Sequence, residues 1–160
     1  MDRFARRFLD LAGASAKGRT SEPTIAEMRE GLTGLAAFAG AMPGVRVDER
    51  DERLPGGAIP IRIYSPAAPS QESLPGLIYF HGGGWLSGDL ASHGGICRAL
   101  AAAGQCRVIA VDYRLAPEHR FPAAIEDCLA AVEIINAQPA RFGLDPARIG
   151  VAGDSAGGKS

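Results

Sequence analysis

A chain of 160 residues, 46% of them hydrophobic, can bury a core of its own and is not a disordered polymer. Its formal net charge of -1 gives no bulk field for drawing in nucleic acid or an anionic membrane, which argues against polyanion binding. Cys97, Cys106 and Cys128 are odd in number, lie in apolar segments and lack the Cys-x-x-Cys spacing of a zinc or redox site, so they read as reduced, buried thiols.

From the N-terminus, residues 1–16 carry arginines and Asp10 but no apolar stretch long enough for a signal peptide, and no segment approaches a membrane span. The expectation is a mature cytoplasmic protein. Phe4, Phe8 and Leu11 recur at helical spacing among Arg3, Arg6 and Arg7 and describe a short amphipathic helix. Thr24-Ile25-Ala26-Glu27 has the spacing of a capping box, and Ile25, Met28, Leu32 and Leu35 then mark one face of a second helix ending near Gly40 to Pro43. Two readings stay open for this pair: core packing, or part of a lid over a site.

Val45–Leu54 and Ala58–Tyr64 alternate apolar and polar residues across Pro55-Gly56-Gly57, the pattern of an antiparallel hairpin with Ile59, Ile61 and Ile63 on one face. Ser65–Pro75 is a surface connection. The pattern then becomes strand, helix, strand, helix, strand: 77–80, about 92–103, 107–111, about 122–137, and 149–152. Short doubly buried runs alternating with helices indicate a mostly parallel sheet with right-handed crossovers. Pro122 suits a first helical turn, and Ile125, Cys128, Val132 and Ile135 supply the buried stripe of the last helix.

Two glycine-rich motifs follow strands. Gly153-Asp154-Ser155-Ala156-Gly157 has the Gly-x-Ser-x-Gly form of a nucleophile elbow, in which serine takes a strained backbone conformation and the flanking glycines avoid a clash. His81-Gly82-Gly83-Gly84-Trp85 offers backbone N–H groups unshielded by side chains, the raw material of an oxyanion hole. The last eight residues, Gly153 to Ser160, also satisfy Gly-x4-Gly-Lys-Ser, in which Lys159 would reach phosphate and Ser160 would hold magnesium. Such a phosphate loop usually follows the first strand of its domain and leaves the His-Gly-Gly-Gly run unexplained.

With these two motifs flanking Asp112-Tyr113-Arg114-Leu115-Ala116-Pro117-Glu118-His119-Arg120-Phe121-Pro122-Ala123-Ala124, the chain resembles the hormone-sensitive-lipase-like (GDXG) family of α/β-hydrolase carboxylesterases. The resemblance implies an α/β-hydrolase fold, with residues 1–43 as lid helices and 44–160 as the N-terminal half of the core. It further implies hydrolysis of small acyl esters by a serine-acid-histidine triad, with no cofactor and no metal. Ser155 is the implied nucleophile, and the amides of Gly82, Gly83 and Ala156 are the implied oxyanion donors. His81, Gly84 and Asp154 support the motifs: His81 as a partly buried histidine bonded to backbone, Asp154 through a bond to backbone or to the 112–118 loop. His93 and His119 read as structural, and Trp85 either lines the pocket or merely packs.

In this fold the acid and histidine follow the elbow in sequence, so the expectation is a chain truncated after the elbow, inactive alone and prone to self-association through an open sheet edge. Lys159 is a departure from the family pattern. A non-catalytic binding protein on the same scaffold is the alternative from another class.

Overall fold

The computed structural model describes Arg6 and residues 21–39, 46–67 and 73–159. Phe4, Phe8, Leu11 and Ser160, on which some of the expectations above rest, lie outside them. The described elements are helix α1 (Ile25–Ala39), strands β1 (Val47–Arg53), β2 (Pro60–Pro66) and β3 (Leu74–Phe80), helix α2 (Gly94–Gly104), strand β4 (Arg107–Val111), helix α3 (Ala123–Ala137) and strand β5 (Leu144–Gly153). Short 3-10 turns at Pro139–Phe142 and Gly157–Lys159 flank β5.

α1 begins where the capping box predicts. The Glu27 amide donates to Thr24 Oγ1 at 3.3 Å while the Thr24 amide donates to Glu27 Oε2 at 2.7 Å, so two otherwise orphaned donors are satisfied reciprocally. The hairpin also forms, and its turn closes through Gly57 N–H to Leu54 O at 2.8 Å. Gly56 and Gly57 hold φ of +96° and +76°, a region that side-chain-bearing residues resist.

The sheet order is β1-β2-β4-β3-β5, with β1–β2 and β2–β4 antiparallel and β4–β3 and β3–β5 parallel. Strand alternation sends Ile61, Ile63, Ile78, Phe80, Ile109 and Val111 to one face, where α3 covers them with Ala124, Cys128, Ala131 and Ile135. Tyr64, Tyr79, Val108 and Ala110 point to the other face, under Cys97 and Ala101 of α2. Three layers result. β3 connects through α2 to β4 on one side, and β4 connects through α3 to β5 on the other side of β3. Such a reversal opens a crevice at the C-terminal ends of β3 and β5.

Several boundaries differ from the sequence reading. β5 spans ten residues rather than four because Leu144 pairs with Leu74 before a bulge, across which the register jumps from Leu74↔Leu144 to Gly76↔Ile149. Asp145, Pro146 and Arg148 hid that extension from a search for apolar runs. β3 likewise starts at Leu74, inside the expected surface connection. Pro122 caps α3 from outside instead of occupying its first turn. The buried stripe of α3 runs Ala124, Cys128, Ala131, Ile135, while Ile125 and Val132 are half-buried at its margin. Cys97 and Cys128 are buried as expected and form no disulfide among the described residues, whereas Cys106 is half-buried. Burial pushes the Cys97 thiol up to about 12, which leaves it unreactive at neutral pH. Among the described residues no helix is long and apolar enough to cross a membrane.

Candidate active site

Parallel pairing of Phe80 with Gly153 aligns the ends of β3 and β5, so His81 and Asp154 are the first residues beyond two neighbouring strands. The two glycine motifs therefore emerge side by side at the same sheet edge. Ser155 holds a φ of +50° and is exposed. A non-glycine residue in this region carries strain, and tight surroundings keep it there. Those surroundings are backbone. A Cβ on Gly157 would stand 2.1 Å from Phe80 O and 2.6 Å from His81 O, and one on Gly153 would stand 2.5 Å from the Gly157 carbonyl carbon. Neither site admits a side chain.

Asp154 joins the two motifs. Its Oδ1 accepts the Tyr79 hydroxyl at 2.6 Å and the Gly82 amide at 2.9 Å, and its Oδ2 lies 3.5 Å from His93 Nε2. Partial burial raises the cost of its charge. The Tyr79 hydroxyl, the His93 ring and the Gly82 amide outweigh that cost and hold the carboxyl below its ordinary value. The expected side-chain-to-backbone bond exists, although its partner is Gly82 and not the 112–118 loop. This bond competes with the expected oxyanion role of the Gly82 amide. The Gly82 amide already serves Asp154, and a Cβ there would fall 2.2 Å from Asp154 Oδ2. Among the described residues, the Gly83 and Gly84 amides enter no such bond.

The loop after β3 is folded back on itself. Gly83, Gly84 and Trp85 hold φ of +127°, +65° and +59°, and the Leu86 amide, Ser87 amide and Ser87 hydroxyl converge on Gly83 O at 3.2, 3.0 and 2.9 Å. His81 is buried beneath it. Its ring stacks on Tyr113 with centroids 4.3 Å apart, its Nδ1 meets Gly82 O at 2.9 Å, and its carbonyl accepts the Tyr113 hydroxyl at 2.6 Å. A carbonyl can only accept, so Nδ1 carries the proton. Burial lowers the His81 pKa and favours this neutral form.

His93 caps α2 in sequence position, lies against Ser92 Oγ at 3.0 Å and faces Asp154. His119 is exposed in the loop after β4 and donates its amide to Leu115 O at 2.9 Å. Among the described residues none of the three histidines bonds Ser155. Trp85 is 37% exposed and its carbonyl accepts the Ala116 amide at 2.9 Å. The phosphate-loop spacing finds no matching shape, since the Gly157 and Lys159 amides are spent on Asp154 O and Ala156 O within a 3-10 turn.

Sequence reasoning missed Tyr79, Tyr113, Arg29 and the Arg114–Asp127 pair. Arg114 grips Asp127 through Nε and Nη2, at 2.9 and 2.7 Å, and through its own amide at 2.9 Å, which fastens the loop after β4 to α3. Tyr79 within the largely aliphatic β3, and Tyr113 just beyond β4, were the one available signal, because a buried hydroxyl needs a partner. A cavity of about 510 Å³ lined by Arg29, Gly88, Asp112, Tyr113, Leu115 and Glu118 lies beside these loops without including Ser155.

Residues 77–159 match the alpha/beta hydrolase fold family, a span that contains both motifs, the whole of β5 and the end of β3. The chain belongs to that family. Within it, the relatives are carboxylesterases of the hormone-sensitive-lipase-like kind. The chain is 47% identical over 118 residues to carboxylesterase NlhH of Mycobacterium tuberculosis, covering 73% of its own length and 37% of that relative. It superposes on the ester hydrolase EH1AB1 from the metagenome of Lake Arreo, solved with a bipyridine phosphonate derivative, with a TM-score of 0.83 and 37% identity over 98% of its length and 51% of the other. The hyperthermophilic esterase of Pyrobaculum calidifontis gives a TM-score of 0.80 at 35% identity, with coverage of 98% and 50%. The chain thus spans about half the length of these solved structures.

Proposed function

We propose that this hydrolase acts on small carboxylic esters by an acyl-enzyme mechanism in which Ser155 is the nucleophile. The observation that carries this reading is the alignment of an exposed, left-handed Ser155 with a glycine loop at the same edge of parallel strands. Attack by Ser155 Oγ on the ester carbonyl forms a C–O bond and drives the carbonyl electron pair onto oxygen. The hydroxyl proton passes to a general base, collapse returns it to the departing alcohol, and water then releases the acid from the acyl-serine.

The oxyanion donors in this proposal are the amides of Gly83, Gly84 and Ala156, since Gly82 is committed to Asp154. One preorganised donor of this kind is worth about 3 kcal/mol to the transition state. His81 and His93 are engaged beneath the loop and His119 lies in the loop after β4, so the proposal assigns the base and its acid partner to residues outside these 160. Short to medium acyl chains are the proposed substrates, and the 160 residues alone are proposed to turn them over barely above background. β5 pairs on one side only among the described residues and leaves Val151 58% exposed, which supports self-association through that edge.

A fluorophosphonate probe tests the nucleophile and p-nitrophenyl butyrate the reaction. Labelling of Ser155 together with ester turnover is the expected result for the full enzyme. Absence of both would favour a binding protein on a hydrolase scaffold. Size-exclusion chromatography reads the association, and a monodisperse monomer would remove that part of the proposal.

A further inference from the structure

On the reading that the Gly83 and Gly84 amides serve the reaction, we propose that Arg29 is a positioning residue that straps the oxyanion loop into its working shape from α1. The loop is costly to hold. Three successive residues, Gly83, Gly84 and Trp85, take positive φ, and one of them carries a large side chain. Conformations of that kind persist only where the surroundings over-determine them. Ser87 and Leu86 supply part of the restraint from within by closing on Gly83 O.

The rest comes from far away in sequence. Arg29 Nε donates to Leu86 O at 2.8 Å and Nη2 donates to Ala116 O at 3.1 Å, while Nη1 and Nη2 each reach a Glu118 oxygen at 2.9 Å. Ala116 is the residue whose own amide holds Trp85 O at 2.9 Å. One guanidinium therefore fixes the Leu86–Ser87 peptide, one residue beyond Trp85, and the segment that grips Trp85 itself. The fork reaches four oxygens on three residues along its edges, which the compact three-donor ammonium of lysine cannot do, so lysine is not an equivalent. The Thr24–Glu27 box sets the start of α1 and hence the turn on which Arg29 stands. Arg29 in turn holds the Glu118 carboxyl down to about 2, so the pair stays charged throughout the neutral range. In this account α1 is a fixed strap over the loop.

Trp85 is the sole tryptophan of the sequence and sits inside the strapped loop, so its emission reports the loop independently of activity. The experiment compares Arg29→Ala, Arg29→Lys and Glu118→Gln with the unaltered protein, reading Trp85 emission, quenching and far-UV circular dichroism on these 160 residues and kcat and KM on p-nitrophenyl butyrate in the full enzyme. Displaced donors cost turnover more than binding, so Arg29→Ala should lose about tenfold to a hundredfold in kcat with KM changed less than about threefold. Its Trp85 emission should shift and become more quenchable. Arg29→Lys should fall between, and Glu118→Gln, which keeps both carbonyl bonds, should lose least. Native emission and kcat within twofold in a folded Arg29→Ala variant would overturn the proposal. Where that variant fails to fold, the same comparison in Arg29→Lys decides. Absence of ester turnover by the unaltered full enzyme would sink the proposed function, and the emission series would still decide the strap.

Discussion

The outer hairpin and the β3–β5 edge both carry charged groups and glycines, yet they are held by opposite means. On the hairpin, β1 turns most of its side chains to water, and its Asp51 meets Arg62 of β2 at 2.8 Å, its Glu49 meets Arg98 of α2 at 3.0 Å and its Arg50 pairs with Glu52. Pairs of this kind contribute little and deter edge-to-edge pairing more than they build stability. At the β3–β5 edge the contacts are backbone against backbone, with no room for one carbon, and a carboxylate is spent on an amide and a buried hydroxyl. Precision at the site comes from close approach and converging hydrogen bonds; the hairpin needs only strand pairing and solubility.

The largest expected effect tests the chemistry of that edge. Ser155→Ala should cut ester turnover by the full enzyme by about 10⁴-fold or more while leaving its melting within about 1 kcal/mol of the parent. Turnover that survives in a steady-state assay of this variant would show that the reacting group is elsewhere.

Next comes packing. Gly157→Ala should cost about 3 kcal/mol in denaturant unfolding, because the new methyl meets the Phe80 and His81 carbonyls. Gly31→Ala, on α1 with nothing within 4 Å of the added carbon, should instead stabilise by about 0.5–1 kcal/mol. Equal outcomes for the two would erase the contrast between a built edge and an ordinary surface.

A smaller effect has a pH signature. Asp154→Asn should cost about 1 kcal/mol at neutral pH, after a discount for the share of the carboxylate open to water. Asp154 titrates below its ordinary value in the fold, so its contribution is present in full above about pH 4 and fades as pH falls through the lower folded value. The stability gap between parent and variant should therefore close in acid melts. A gap that widens below pH 4 would reverse the assigned sign.

Asp51→Ala closes the series. Removing an exposed partner of Arg62 should change stability by no more than about 0.5 kcal/mol and leave turnover unchanged. A loss above about 2 kcal/mol would make the hairpin as demanding as the site.

Much of this was legible in the sequence because certain local needs leave residue signatures. Positive φ at Gly56, Gly57, Gly83 and Gly84, the missing Cβ atoms at Gly153 and Gly157, the Thr24–Glu27 cap and the alternation of β2 all follow from short-range sterics and spacing. The extension of β5 through Asp145 and Pro146 did not, since bulged pairing is paid for by its partner strand and not by its own residues.

What tertiary structure alone decided is which groups meet. The motif points the Gly82 amide at the oxyanion, but the register of β3 against β5 brings it to Asp154, 72 positions away, which is why the proposed donors are Gly83 and Gly84. Arg29 carries no motif, and its three acceptors become one site only when α1, the glycine loop and the loop after β4 converge. The sequence by itself determined the backbone conformations and the order of elements, because those are short-range properties of each residue. Partners for amides, carboxylates and guanidiniums are set by distances between segments far apart in the chain, and those exist only in the fold.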